Sequence, residues 1–273
     1  MQVGIIGFGS MGSMLLHKFA ASPAVPRENI YVSNRSKDKL DIVRKRYPSV
    51  NVCTTNKEVV QNADIIFVCT RPMEIKEVLD EVKFDLNGNK HVISINGSLS
   101  LEAIESVCGG RISKIMPSVT AEINESLTLV CHNRSVMEED RQRLMRLLEV
   151  FGEVYEIPEE EFGIGAELTS CMPGFLASMF EIMEKEARKH TQLPTDTVRR
   201  MLVKTVYATA RLLLEKEIGF SETVARVATK GGITEEGVKV LNNHFPAVCE
   251  ELFSETLQKR EITVDTLIKQ FRE

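Results

Sequence analysis

Several of the signals that most often fix a function are missing from this chain. Its six cysteines, Cys53, Cys69, Cys108, Cys131, Cys171 and Cys249, stand singly, with no C-x-x-C pair and no histidine at metal-ligand spacing. That argues against a metal site and a disulfide framework, and it fits reduced thiols in a cytoplasmic protein. No stretch approaches the ~20 consecutive apolar residues of a membrane span. The start, MQVGIIGFGSMG, lacks a basic segment and is punctuated by glycine, so it does not read as a signal peptide. Nor is there a basic excess. Thirty-four Lys and Arg against 39 Asp and Glu give a net charge of −5 with the signs intermixed, which excludes an electrostatic footprint for nucleic acid or an anionic membrane.

Apolar material is plentiful. At 43% apolar and 27% charged, the composition is that of a globular protein with a real core rather than a disordered chain. A length of 273 residues exceeds the ~100–200 of one domain, so two domains are expected.

The first informative motif lies at the start. Val3-Gly4-Ile5-Ile6 reads as a short buried strand, Met14, Leu15, Leu16 and Phe19 follow at helical spacing, and between them runs Gly7-Phe8-Gly9-Ser10-Met11-Gly12. A G-x-G-x-x-G turn between strand and helix is a dinucleotide fingerprint. Its first glycine permits the tight bend, its second lets a pyrophosphate approach the backbone, and its third lets the helix pack on the strand. The alternative is a glycine-rich turn that holds no nucleotide.

A second strand, Ile30-Tyr31-Val32-Ser33, runs into Asn34-Arg35-Ser36. A site selective for NAD would place Asp or Glu here to hold the ribose 2′-hydroxyl. Neither is present, and Ser33, Asn34, Arg35 and Ser36 offer instead hydrogen-bond donors and a guanidinium suited to a 2′-phosphate. NADP(H) is therefore the expected cofactor. Against it stands the reading of Arg35 as a solvated residue opening a charged helix.

Apolar runs at Ala63–Cys69, His91–Ile95 and Lys114–Met116, with helical stretches Ile75–Val82 and Leu101–Val107 between them, predict an α/β fold with a doubly wound sheet. Ligands sit beyond the carboxyl ends of such strands. Thr70-Arg71-Pro72, Asn96-Gly97-Ser98 and Pro117-Ser118-Val119 are the corresponding loops, and Thr70, Arg71, Pro72, Asn96 and Gly97 the candidate cofactor contacts. After Val154–Pro158 the acidic run Glu159-Glu160-Glu161 reads as a solvated turn marking a boundary, with a cofactor domain over 1–157 and an all-helical domain over 158–273. In the latter, the helix from Val198 to Leu214 is apolar on nearly every side and must be covered on every side. A domain of ~115 residues has little material for that, so a dimer interface is expected, with a well-packed monomeric bundle as the alternative.

The whole-chain pattern resembles the pyrroline-5-carboxylate reductase family and, within it, looks most like the late-competence-operon branch. The resemblance covers nearly the full length: GFGSMG, VSNRS, ADIIFVCTRP, SINGS, KIMPSV, TSCMPGF and, most specifically, Ala228-Thr229-Lys230-Gly231-Gly232-Ile233-Thr234-Glu235-Glu236-Gly237, where the family carries a Ser-Pro-Gly-Gly-Thr-Thr-like signature. It implies a Rossmann-type domain, an all-helical dimerisation domain that also serves the substrate, possible higher assembly, and NADP(H)-dependent reduction of 1-pyrroline-5-carboxylate to proline. Gly231 and Gly232 are then expected to turn backbone amides toward a small carboxylate, with Thr229 and Lys230 beside them. Thr234, just ahead of a helix expected from Glu235, is implied as the residue touching the substrate nitrogen, and reads equally as that helix's N-cap.

Reduction of a cyclic imine needs a positioned hydride, a hydrogen-bonded nitrogen and a fixed carboxylate, but neither metal nor nucleophile. The chain departs from the family pattern at Lys230 (usually proline), Ile233, Thr229 (usually serine), Ser118 (usually asparagine) and Thr169–Phe175, where two glycines are lost. Those departures keep two further readings open: a catalytically weak nucleotide-binding paralogue with a regulatory role, and a reductase of another small imino or hydroxy acid.

Overall fold

Apolar runs without helical spacing become strands, and the segments between them coil over the sheet that the strands build. The computed structural model describes residues 1–86 and 88–272. Its strands are β1 (Val3–Ile6), β2 (Ile30–Ser33), β3 (Asn51–Val52), β4 (Ile65–Val68), β5 (His91–Ser94), β6 (Arg111–Met116), β7 (Ser126–His132) and β8 (Gly152–Glu156). Helices α1 (Ser10–Ala21), α2 (Lys37–Arg46), α3 (Asn56–Asn62), α4 (Ile75–Val82), α5 (Leu101–Cys108) and α6 (Glu138–Leu148) join them.

The strands form one sheet in the order β3-β2-β1-β4-β5-β6-β7-β8, parallel through β6, with β7 antiparallel to β6 and β8 parallel to β7. The winding therefore reverses between β1 and β4, which opens a crevice at their carboxyl ends. Side-chain alternation splits the core into two layers. Val3, Ile5, Ile65, Phe67 and Ile93 pack against α1, α2 and α6, while Ile6, Ile66, Val68, Val92 and Ile112 pack against α3, α4 and α5. Phe19 of α1 meets both Phe67 and Phe151 at ring-centroid distances of 5.3 Å. β1, β4 and β5 are buried along their whole length, which is why β1 and β4 are continuous apolar runs, while β5 carries Val92 and Ile93 between the buried polar residues His91 and Ser94.

Two elements, β7 and α6, carry no clear mark in the sequence. In β7 the buried positions include Ser126 and Thr128, whose hydroxyls bond each other at 3.1 Å while Ser126 Oγ accepts the Ser118 amide at 3.0 Å. Buried polar residues satisfied in this way erase the apolar signature of a strand. The acidic run is also more than a solvated turn. Glu159 Oε1 accepts from the buried Lys114 Nζ at 2.6 Å and from the Leu101 amide at 2.9 Å, so it ties β6 to the start of α5.

Beyond β8 the chain is helical: α7 (Phe162–Ala166), a π-helical turn (Glu167–Cys171), α8 (Met172–Ala187), α9 (Thr195–Lys216), α10 (Phe220–Val227) and α11 (Ile233–Arg272). By compactness the chain divides into Met1–Cys171 with the residues from Thr256 on, and Met172–Glu255. The division expected after Ile157 thus falls later. Phe162, Ala166 and Glu167 are buried in the first unit, and a β-carbon on Gly165 would lie 2.8 Å from Leu129 Cδ1 and 3.0 Å from Ile157 Cδ1, so α7 belongs to the sheet. The last part of α11 returns to that unit through Leu267, which is fully buried in the second core layer. In the second unit, α9 buries Val198 but leaves Met201, Val203, Tyr207, Leu212 and Leu214 between 42% and 79% exposed. No helix among the described residues is long and apolar enough to cross a membrane.

At the opposite end of the sheet from the crevice, His91 Nε2 and His132 Nδ1 share the Ser113 hydroxyl at 2.7 and 2.6 Å. Burial pushes both imidazoles down to about 4; Arg111 and Arg143 add to this at His91 and Arg141 at His132, while Asp140 and Glu138 oppose it. Between about pH 6.5 and pH 4 the unfolded chain binds protons that the folded chain refuses. Stability is therefore full above pH 6.5 and falls toward pH 4, by roughly 3 kcal/mol at most per histidine. Urea midpoints taken from pH 7.5 to 4.5 should decline in the native protein and flatten in a His91→Gln/His132→Gln variant. Parallel declines in the two would remove the histidines as the cause.

Candidate functional site

The crevice at the carboxyl ends of β1, β2 and β4 is a cleft of about 670 Å³, within the size range of small-molecule sites. Gly7 opens it with φ +99°, where a β-carbon would be strained and would lie 2.9 Å from the Cys69 carbonyl oxygen. Gly12 closes the turn, its β-carbon position only 2.0 Å from the Gly7 carbonyl oxygen, so α1 packs against β1 only because no side chain intervenes. Gly9 behaves differently. Nothing lies within 4 Å of its β-carbon position, and as N-cap of α1 it offers no side-chain hydrogen bond. The first amides of α1 are thereby free for an outside acceptor, and the helix dipole favours an anion there.

The walls come from three other loops. Phe8 is fixed by its amide, which donates to Asn34 Oδ1 at 2.9 Å. Ser33, Asn34, Arg35 and Ser36 line the cleft after β2, and Thr70 and Arg71 after β4. Of the remaining expected contacts, Phe8, Ser10, Met11 and Gly12 shape the turn without lining the cleft, Pro72 starts a 3-10 turn behind Arg71, and Asn96 and Gly97 follow β5 outside the lining. Two polar atoms at these strand ends, Thr70 Oγ1 and Asn96 Nδ2, are buried without a partner, an uncommon condition that points to a missing one. An open glycine cradle, a bare helix start and orphaned polar groups suit a bound dinucleotide.

The cleft holds residues that sequence reasoning missed: Lys39, Thr54, Thr55, Asn56, Glu74, Glu77 and Glu81. The Ser33 hydroxyl donates to Asn56 Oδ1 at 2.8 Å, and Asn56 Nδ2 donates to Glu81 Oε2 at 2.7 Å, a chain that fixes the amide's orientation. Glu74 Oε1 accepts from Arg71 Nη2 at 2.5 Å and lies 3.4 Å from Arg35 Nη1. The bond from Arg71 holds the Glu74 carboxyl below its ordinary range, with Arg35 adding to the effect. Spacings within the loops marked one wall of the cleft. The three acids of the other wall recur along one face of the turn and helix after β4, a spacing indistinguishable from an ordinary solvated face.

In the second unit, the glycine loop joins α10 to α11. Gly231 has φ +75°, and its amide donates to Glu235 Oε2 at 2.7 Å, while the Gly232 amide donates to the Thr229 carbonyl at 2.9 Å. Both amides expected to face a carboxylate are thus engaged within the loop, one of them by a carboxylate of the chain itself. α11 begins at Ile233, so Thr234 is its second residue and not its N-cap. Its side chain is exposed, as are those of Thr229 and Lys230. Among the described residues no group of His, Cys, Asp and Glu could hold a metal ion.

Two family models match, one over the part that holds the cleft and one over the helical part that holds the glycine loop. Residues 2–97 match the family described as NADP oxidoreductase coenzyme F420-dependent, and residues 159–262 match the pyrroline-5-carboxylate reductase dimerisation family. The chain is 32% identical to pyrroline-5-carboxylate reductase 3 of Bacillus subtilis, over 98% of this chain and 99% of that one. It is 25% identical to ComE operon protein 4 of the same organism, over 99% of each. Among solved structures, a pyrroline-5-carboxylate reductase from Coxiella burnetii superposes with a TM-score of 0.84 at 26% identity, covering 97% of this chain and 98% of that one. The Plasmodium falciparum pyrroline carboxylate reductase, solved with NADP bound, gives 0.86 at 22% identity over 97% and 98%, a likeness of fold. An eight-stranded sheet wound about a glycine cradle, a helical unit matching the dimerisation family, and 32% identity sustained along both chains make this protein a member of the pyrroline-5-carboxylate reductase family.

Proposed function

We propose that the protein is an NADP(H)-dependent reductase of a small cyclic imino acid, and that 1-pyrroline-5-carboxylate, reduced to proline, is the substrate. The observation that carries the cofactor half is the cleft itself, where open space before Gly9 meets an exposed guanidinium at Arg35. The amides of Ser10 and Met11 would receive the pyrophosphate, and Arg35, Ser36 and Lys39 the 2′-phosphate. Thr70 and Asn96 would regain their missing partners at the nicotinamide end. When bound, the cofactor supplies the hydride. The protein's own task is to position two molecules and hold a hydrogen bond to the ring nitrogen.

In the loop from Thr229 to Thr234, the exposed Thr234 hydroxyl is the group proposed to make that bond. Gly231 would hold the substrate carboxylate once Glu235 releases its amide. A second copy of the chain would cover the exposed apolar side chains of α9, giving a homodimer. Six unpaired cysteines fit a reducing compartment such as the cytoplasm. The occupied Gly231 amide favours one competing reading, a paralogue that binds nucleotide but turns over poorly.

The decisive assay follows NADPH oxidation with pyrroline-5-carboxylate and related cyclic imines. Saturable turnover is expected, reduced about tenfold or more in Thr234→Ala through loss of one hydrogen bond, with NADPH binding retained. Lys230→Pro should raise turnover, because proline presets the turn at φ near −65° and lysine does not. Tight NADPH binding without oxidation by any imine would instead support the regulatory paralogue.

A further inference from the structure

No acid stands at the end of β2 in the sequence, yet the fold delivers one there from another strand. Glu74 sits in the turn after β4. A single oxygen of its carboxylate reaches two guanidiniums, Arg71 at 2.5 Å and Arg35 at 3.4 Å. Arg35 follows β2 and Arg71 follows β4, and these strands flank β1 on opposite sides, so the carboxylate spans the cleft mouth. The arginine side chains are 84% and 75% exposed and that of Glu74 only 25%. An anion arriving from solution therefore reaches both guanidiniums from outside, and it meets the carboxylate behind them.

Resting on the dinucleotide reading above, we infer that Glu74 is the residue that sets the choice between a cofactor with a 2′-phosphate and one with a free 2′-hydroxyl. An ionised carboxylate only accepts hydrogen bonds. A ribose 2′-hydroxyl donates to it, as it does to the acid that NAD-selective sites place at the end of the second strand. A 2′-phosphate is repelled by the same carboxylate and competes with it for Arg35. Glu74 thus stands through space for the acid that β2 lacks, and it moderates the phosphate preference that Arg35 confers. The other two acids of this wall do not take the same part. Glu81 is engaged with Asn56, and among the described residues Arg35 pairs with Glu74 and not with Glu77 or Glu81.

The test is equilibrium titration of NADPH and NADH, by cofactor fluorescence, against the full-length native protein and its Glu74→Gln, Glu74→Ala, Arg35→Ala and Glu74→Gln/Arg35→Ala variants. Melting temperatures are taken alongside to verify folding. Removing the Glu74 charge should tighten NADPH roughly fivefold, the scale of one like charge lifted from a solvated site, and should weaken NADH or leave it unmoved. In the Arg35→Ala background the same substitution should favour NADPH less, since the competition for the guanidinium is gone and only the direct repulsion remains. Equal changes for both cofactors, a weakened NADPH, or an effect undiminished by Arg35→Ala would each overturn the inference. Glu74→Ala must agree with Glu74→Gln, which separates charge from the new amide's own hydrogen bonds. A native protein that binds neither cofactor would overturn the dinucleotide reading, and this inference with it.

Discussion

Gly12→Ala is expected to cost the protein both its stability and its affinity for NADPH. The added β-carbon would lie 2.0 Å from the Gly7 carbonyl oxygen, 3.1 Å from the Gly7 carbonyl carbon and 3.3 Å from Cys69 Cβ. Two of those neighbours are backbone and cannot swing aside, so α1 must move off β1 or the turn must open. Overpacking of this kind costs ~1–3 kcal/mol when the core absorbs it, and here it also misaims the amides that face the cleft. Gly9→Ala provides the contrast. Its β-carbon meets nothing within 4 Å, so the fold should be untouched, while the space a pyrophosphate would enter is filled. Thermal melts paired with NADPH titrations should show both quantities falling for Gly12→Ala and affinity alone falling, about tenfold or more, for Gly9→Ala. Unchanged affinity in Gly9→Ala would mean that no phosphate approaches this turn.

Met201→Asp is expected to separate assembly from folding. Met201 is 58% exposed on α9, which also exposes Val203 at 46%, Tyr207 at 53% and Leu214 at 79%. A charge at Met201 meets water in the lone chain and costs the helix little. Against a second copy it would be an unpaired charge at a buried interface, worth several kcal/mol, or at least a hundredfold in the dimer dissociation constant. Leu202 is the less informative position because it is already half-buried within its own chain, where a charge damages folding too. Light scattering after size exclusion should give a dimer for the native protein and a helical, folded monomer for Met201→Asp. A native protein that is monomeric in dilute solution, with its helical unit intact, would remove the dimer from this account.

Local patterns in the sequence were sufficient for the frame of the fold. β1 and β2 begin and end where their apolar runs do, α4 spans its helical period, and Gly7 and Gly12 of the first turn announce their geometry because each is required by neighbours a few residues away or by the strand beside it. Backbone preference and side-chain period act over such short distances, so they are legible along the chain. The sequence also named Arg35 and the loop around Gly231. It did not reveal what those residues face. Glu74 meets Arg35 only because the sheet places β2 and β4 on either side of β1. Glu159 holds Lys114 only because the chain returns from β8 past the start of α5. Ser126 and Thr128 read as polar until they are seen bonded to each other inside the sheet. Glu235 takes up the Gly231 amide because α11 starts two residues earlier than its residue pattern suggests, which brings that carboxylate back over the loop. In each case the partner is chosen by strand order or by the start of a helix, and the energy of a hydrogen bond or ion pair depends on a distance through space that no spacing along the chain records.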